Sequence, residues 1–213
     1  MKNTCPLCNT QSEFKEHTVR DQRVYLECNQ CGLHFVRKDL LLTNDEEIKR
    51  YNQHKNHIDD TGYIDFLNQA INPTLSFINT KMKGLDYGCG PSPVLSELLT
   101  RKGFHMDNYD PYFFPSLKPV HYDFIFTTEA FEHFYSPFRE INKILDRLNK
   151  NGILTIMSAI LQDKTEFSTW YYPNDPTHVS IMNTKTPTYI ESFFKLKMIY
   201  NDTKRVVIYQ KIT

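Results

Sequence analysis

The chain has no net charge: 25 Lys and Arg stand against 25 Asp and Glu. That balance argues against a strongly basic nucleic-acid binder and against an acidic tail protein, while leaving room for a local basic patch. Long apolar runs are also missing. The longest mostly apolar stretch, residues 153–161, has nine residues, against the roughly 20 that a spanning helix needs. No apolar segment follows Met1-Lys2-Asn3-Thr4-Cys5, so no secretion signal is expected and the expected compartment is the cytoplasm. Internal repeats and low-complexity tracts are absent too. With 40% hydrophobic residues, 15 Phe and 13 Tyr, the chain is not of disordered composition. What is left is a globular chain of 213 residues, enough for one ordinary domain, or one domain and a small module, with a core that needs no staples.

Five cysteines are present, and four of them lie within the first 31 residues. They form two pairs, Cys5-Pro6-Leu7-Cys8 and Cys28-Asn29-Gln30-Cys31, with nineteen residues between the pairs. A tetrahedral zinc ion takes four thiolates about 2.3 Å away, and two residues between cysteines let the chain turn both sulfurs toward one ion. Gly32 follows the second pair, where such a turn favours positive φ. Residues 23–27 and 32–36 read as short strands. The pattern predicts a small zinc ribbon over residues 1–42 with Cys5, Cys8, Cys28 and Cys31 as ligands, structural in role because four thiolates leave no open position. Two disulfides are disfavoured without a secretion signal. A redox pair would need one such motif on a βαβ unit rather than two on a ribbon.

Residues 43–81 read as a helical connector or lid, with one helix from about 45 to 56, capped near Asn44, and another from about 62 to 80, interrupted near Pro73. From residue 82 the pattern changes to strand, glycine-rich turn and helix: Met82-Lys83-Gly84-Leu85-Asp86-Tyr87, then Gly88-Cys89-Gly90-Pro91-Ser92-Pro93, then Val94-Leu95-Ser96-Glu97-Leu98-Leu99. That is the opening unit of a nucleotide-binding α/β fold. A second strand near 105–109 ends in Asp110, twenty residues past Gly90, where an acid meets ribose hydroxyls in such folds. Strands are also predicted at 122–128 and 152–158, with helices at about 135–149 and 186–194. A closing hairpin is expected from about 196–201 and 205–212.

Position 93, where a dinucleotide fingerprint has its third glycine, is proline, and this weakens a dinucleotide reading. Asp86, two residues before the first glycine, can pair with a cationic amine of a ligand lying over the turn. Leu85-Asp86-Tyr87-Gly88-Cys89-Gly90-Pro91 resembles motif I of class I S-adenosylmethionine-dependent methyltransferases. The 122–128 strand followed by Glu129-Ala130-Phe131-Glu132-His133-Phe134 is similar to their fourth-strand motif, and Gly152-Ile153-Leu154 to their fifth-strand entry. The resemblance covers residues 82–213 and looks strongest to the ubiquinone-biosynthesis-like branch of bacterial methyltransferases. Some of these carry a similar ribbon and a segment like Trp170-Tyr171-Tyr172-x-x-Asp175-Pro176-Thr177-His178. It implies a mostly parallel Rossmann-like sheet with an antiparallel C-terminal hairpin. S-adenosylmethionine would be held by Asp86, Gly88 and Gly90 at its methionine end and by Asp110 at its ribose, with Thr128 and Glu129 beside its sulfur. One departure stands out. Only twelve residues separate Asp110 from Asp123, too few for the usual helix and third strand. That strand is expected to be missing, with adenine resting on Pro111, Tyr112 or Phe113.

Methyl transfer needs a nucleophile aligned with the methyl group and water kept out; a base is needed only if the nucleophile is protonated. Residues 159–185 form a connection too long for an ordinary loop, at the sheet edge where ligands bind. Within it, His178 is the candidate base with Asp175 as its orienter; packing against backbone is the alternative for His178. Trp170, Tyr171 and Tyr172 line an acceptor pocket or pack the loop. His133 is equally readable as base, cap or packing group. Tyr51, His54 and Tyr63 lie on the upstream helices, which either cover the cofactor or present a solvated face with an aromatic or two in the core, the second being favoured. Cys89 reads as small filler, since its neighbours offer no cation.

The leading expectation is a methyltransferase for a small or carrier-bound metabolite. An RNA methyltransferase that docks through the ribbon is the alternative, with Lys38, Lys49, Arg50 and Lys55 as a modest basic stretch; neutral overall charge counts against it. A non-catalytic ribbon interaction protein is the third reading, opposed by the intact Asp86, Gly88, Gly90 and Asp110.

Overall fold

The computed structural model describes residues 3–51 and 57–212. In chain order, the N-terminal region gives strands β1 (Lys15–Thr18), β2 (Val24–Glu27) and β3 (His34–Val36), followed by helices α1 (Asn44–Tyr51) and α2 (Thr61–Thr74). The body then alternates β4 (Lys83–Tyr87), α3 (Val94–Arg101), β5 (His105–Tyr109), β6 (Tyr122–Thr128), α4 (Pro137–Arg147) and β7 (Leu148–Met157). It closes with β8 (Ile160–Leu161), β9 (Ser180–Asn183), α5 (Thr186–Phe193), β10 (Leu196–Asn201) and β11 (Val206–Lys211).

The main sheet has six strands in the order β10-β11-β7-β6-β4-β5. β4, β5, β6 and β7 run parallel, and β11 is antiparallel to both β7 and β10. This is the expected Rossmann-like α/β sheet with its antiparallel C-terminal hairpin. Its central strand β6 carries Phe124, Ile125 and Phe126 in succession, all fully buried, because helices cover both faces and neither can be polar. β5 is the sheet's edge on that side, so the third strand is missing as the short 111–122 stretch requires. The chain passes instead through a tight turn in which Asp110 and Phe114 exchange backbone hydrogen bonds at 3.0 Å.

The N-terminal region is less self-contained than its sequence suggests. Strand β3 pairs antiparallel with β9, and β9 pairs parallel with β8. The second sheet therefore runs β1-β2-β3-β9-β8 and draws two of its strands from the connection expected to be irregular. That connection supplies a shared core: Tyr25 of β2 and Val36 of β3 pack with Phe167, Tyr172, Val179 and Ile181. Sequence periodicity missed β8 and β9 because they are two and four residues long.

Helix boundaries also differ. α1 is described to Tyr51, and the rest of the expected helix, with His54 and Lys55, lies outside the described residues. α2 starts on an Asp60 cap, whose carboxylate accepts the Tyr63 N–H at 3.1 Å, and ends at Thr74, just past Pro73. Among the described residues no helix is long and apolar enough to cross a membrane.

Candidate functional site

Three groups of chemistry-bearing side chains stand out. The first is the cysteine cluster. Cys5, Cys8, Cys28 and Cys31 are all buried, and their sulfurs all lie within 4.8 Å of one another. Cys5 and Cys31 sulfurs are 3.6 Å apart, and Cys8 and Cys28 sulfurs 3.5 Å. Four sulfurs on a tetrahedron about 2.3 Å from zinc stand roughly 3.8 Å apart, so the donor set fits such an ion. Gly32 has φ +76°, as the knuckle turn requires.

The second group surrounds a cavity of about 600 Å³ at the carboxyl ends of β4, β5 and β6. Its floor is the β4–α3 turn. Gly88 has φ +84° and Gly90 φ +64°. A Cβ at Gly88 would lie 2.6 Å from the Ala130 Cβ, whereas a Cβ at Gly90 would meet nothing within 4 Å. The turn is thus closed on one side and open toward the cavity. Asp86 is 2% exposed and its Oδ1 has no partner. Burial, with the Asp110 charge added, pushes its pKa up to about 7. A buried carboxylate with an empty oxygen suits a cationic group such as a ligand ammonium.

Asp110 also faces the cavity but is already engaged. Its Oδ2 accepts the Gly90 N–H at 3.0 Å, and its Oδ1 accepts the N–H groups of Tyr112 at 2.9 Å and Phe113 at 3.1 Å. It builds the turn, and Oδ2, with a single donor, keeps one lone pair free on the cavity side. Pro111, Tyr112 and Phe113 line the same cavity, as do Thr128, Glu129, Tyr51 and Tyr63. Glu129 has φ +48°, and burial beside Glu132 drives its pKa well up. Cys89 sits in the wall, and burial with the charges of Asp86 and Asp110 raises its thiol pKa. It is no thiolate nucleophile.

The third group is formed by Glu132, His133 and His178, all of which line the cavity. His178 does not use Asp175 as its orienter. Its Nδ1 meets the Tyr172 carbonyl oxygen at 2.8 Å. Asp175 instead accepts the Thr177 N–H and hydroxyl at 3.0 and 2.7 Å, and Arg50 at 2.7 Å. Burial opposes ionisation of Asp175, but Arg50 and Thr177 outweigh it and hold the carboxyl below its usual range. Arg50, expected in a basic stretch, is committed to this ion pair. Burial lowers the His178 pKa to about 4, so its imidazole is neutral near pH 7. Its ring and that of His133 are 5.0 Å apart, and Tyr51 stacks edge-on against His133 at 5.3 Å.

Trp170, Tyr171 and Tyr172, read as lining an acceptor pocket or packing the loop, do not line the cavity. Tyr171 is 64% exposed, and Trp170 packs on Tyr172 at 5.1 Å. Tyr172 is buried behind the site and donates its hydroxyl to Glu132 Oε1 at 2.5 Å. Glu47 is a site residue that the sequence did not signal. Its acidic first-turn position reads as a helix-dipole partner, yet it is buried and accepts the Tyr112 hydroxyl at 2.6 Å, so it ties α1 to the wall of the cavity.

A family profile described as a methyltransferase domain matches residues 56–190. No curated protein sequence gives a significant match. Among solved structures, the chain is similar to a SAM-dependent methyltransferase from Archaeoglobus fulgidus, at 14% identity and TM-score 0.51, covering 69% of this chain and 94% of that one. It is also similar to an O-methyltransferase family protein from Burkholderia thailandensis, at 11% identity and TM-score 0.51, covering 78% of this chain and 63% of that one. It spans 56% of the S-adenosylmethionine-dependent methyltransferase SibL, at 12% identity and TM-score 0.44. At these identities the likeness is one of fold.

Proposed function

The chain belongs to the methyltransferase-domain family, and from that premise we propose that it is an enzyme transferring a methyl group from S-adenosylmethionine to a small or carrier-bound metabolite. The observation that carries the reading is Asp86: a buried carboxylate with an unpartnered oxygen, beside an open glycine turn on a cavity large enough for cofactor and acceptor. The cofactor supplies an electrophilic methyl on a sulfonium. Asp86 pairs with its ammonium, the open backbone at Gly90 lets it approach, and Asp110 Oδ2 takes a ribose hydroxyl. Pro111, Tyr112 and Phe113 give adenine an apolar seat in place of the missing strand. Thr128 and Glu129 lie beside the sulfur end, and the acceptor's nucleophile points toward His133 and His178, where its proton is drawn off. Tyr51 and Tyr63 cover the site and exclude water.

Zinc in the four-cysteine ribbon is part of this proposal, and a cytoplasmic location accords with free thiols at such distances. The domain division is proposed as 1–42, 43–81 and 82–213, with membership of the ubiquinone-biosynthesis-like branch. Titration calorimetry tests the central claim: the wild type is expected to bind S-adenosylmethionine at micromolar levels and Asp110→Ala to bind it much more weakly. A wild type without binding sinks the reading. The neutral balance of charge favours a metabolite over RNA; RNA retention that weakens steeply with salt would reverse that preference.

A further inference from the structure

Glu132, His133 and His178 bring one carboxylate oxygen and one nitrogen from each imidazole to within 4.8 Å of one another. The two rings are held alike. His133 Nδ1 faces the Thr177 carbonyl oxygen at 3.0 Å and His178 Nδ1 the Tyr172 carbonyl oxygen at 2.8 Å. A carbonyl only accepts, so each ring carries a proton on Nδ1, which makes Nε2 the atom left to ligate. Metal-ligating imidazoles are held in this way, by a backbone carbonyl behind the ring.

Glu132 is fully buried; its Oε1 accepts the Tyr172 hydroxyl, and its Oε2 has no partner. Tyr172 thus braces two of the three groups, with its hydroxyl on Glu132 and its carbonyl on His178. A carboxylate oxygen buried without a donor is costly. The Glu129 carboxyl interacts with Glu132 and also has a buried oxygen without a partner, so the acid in this corner of the cavity is doubled. A cation held between Glu132 and the two imidazoles satisfies the Glu132 oxygen. The ribbon offers a superficially similar trio, His17, Glu27 and His34, but there His17 already bonds the carboxylate at 2.9 Å.

We propose that Glu132, His133 and His178 form a divalent-cation site at the acceptor end of the cavity, distinct from the four-cysteine cluster. Two imidazoles and one carboxylate suit a first-row transition ion such as Fe2+, Co2+ or Zn2+, and three protein ligands leave positions open. If the methyltransferase reading holds, on which this step rests, those positions take an acceptor hydroxyl. A coordinated hydroxyl gives up its proton to water at lower pH than a free one. Its oxygen then forms the new O–CH3 bond as the S–CH3 bond breaks, and the electron pair stays on sulfur as a thioether. With the ion bound, His133 and His178 act on the acceptor's proton through the metal as its ligands and not as free bases, and the acceptor class is an alcohol, phenol or enol oxygen.

The test uses the full chain with zinc retained in its cysteine site, washed with chelator and equilibrated with Co2+ alone. One cobalt per chain is expected beside the zinc, with ligand-field bands and no thiolate charge-transfer band. Glu132→Gln and His178→Ala are expected to weaken cobalt binding by more than about 100-fold, beyond the 10–100-fold typical of losing an outer partner, with zinc content unchanged. His133→Gln serves if either variant does not fold. Absence of cobalt from the wild type, entry only by displacing zinc, or equal binding by the folded variants overturns the site. Calorimetry with S-adenosylmethionine on the same samples separates the two readings. Cofactor binding without cobalt binding sinks the ion site alone, whereas cobalt binding without cofactor binding sinks the transferase alone.

Discussion

Tyr25 donates its hydroxyl to the carbonyl oxygen of His178 at 2.5 Å, joining the ribbon to the cavity across 153 residues of chain. The contact is one of a set. The Arg23 guanidinium donates to the Pro173 carbonyl, Val36 N–H donates to the Val179 carbonyl at 2.9 Å, and β3 pairs with β9. On the other flank, Phe138 N–H, at the start of α4, donates to the Pro6 carbonyl of the first knuckle at 3.1 Å. Strands β2 and β3 bracket the 172–180 stretch and so fix where the His178 ring stands.

Replacing Tyr25 by Phe removes the donor while keeping the ring in the core. The His178 carbonyl is left without that bond, at a cost of about 1–3 kcal/mol. The expected result is a lower melting temperature and a reduced turnover number, with S-adenosylmethionine affinity unchanged because Asp86 and Gly90 are untouched. Cofactor affinity falling in parallel with turnover would mean that the bracket supports the whole cavity rather than its acceptor end.

Stripping metal from the cysteine cluster should reach the same segment. Structural zinc in small modules contributes roughly 10–16 kcal/mol of apparent binding free energy to folding, and β3 leaves the second cysteine pair directly, with Cys28 N–H bonded to the Leu33 carbonyl at 2.9 Å. Hydrogen exchange after chelation is expected to rise in 24–36 and also in 172–183, while β4, β6 and β7 stay protected. A rise confined to the first 36 residues would show that the second sheet survives without its ribbon half.

Asp86 is expected to make cofactor binding depend on pH. Its folded-state pKa, raised to about 7 chiefly by burial, lies above the unfolded value. Between about pH 4 and 7 the folded protein holds a proton that the unfolded chain has lost, so the ligand-free protein loses stability as pH rises through that window. A ligand ammonium favours the carboxylate, so binding below pH 7 releases this proton, and affinity should rise up to about tenfold per pH unit toward 7 and then level off. Calorimetry in buffers of different ionisation enthalpy reads the proton directly. Asp86→Asn is expected to bind weakly with a flatter profile; an unchanged profile would assign the proton to another group.

Much of this site is legible in the residues themselves. The strand–turn–helix with Asp86 and Asp110 is local, so its chemistry follows from spacing, and the missing third strand follows from counting the residues between Asp110 and Asp123. Glu47, Tyr172 and the partnership of Tyr25 with His178 are not legible, because each depends on contacts between segments far apart in the chain. Asp175 misled for a related reason. Its nearness to His178 in sequence suggests a pair, but Arg50 on α1 and the Thr177 turn satisfy its oxygens first.

The two glycines of the cofactor turn separate folding from binding. Gly88 and Gly90 both have positive φ, so alanine at either carries the left-handed penalty of about 1–2 kcal/mol. At Gly88 the added methyl must also displace Ala130, whose Cβ would lie at 2.6 Å, on the loop that leads to Glu132. At Gly90 the methyl enters open cavity, where the cofactor would approach the backbone. Gly88→Ala is therefore expected to lower the melting temperature clearly more than Gly90→Ala. Gly90→Ala should stay folded and lose S-adenosylmethionine affinity by more than its small stability change accounts for, because the methyl occupies ligand space in a protein otherwise intact. Thermal melts with and without cofactor check this: wild type shifts upward with ligand, and Gly90→Ala does not. A normal ligand shift in folded Gly90→Ala would place the cofactor away from this turn, and with it the role assigned to Asp86.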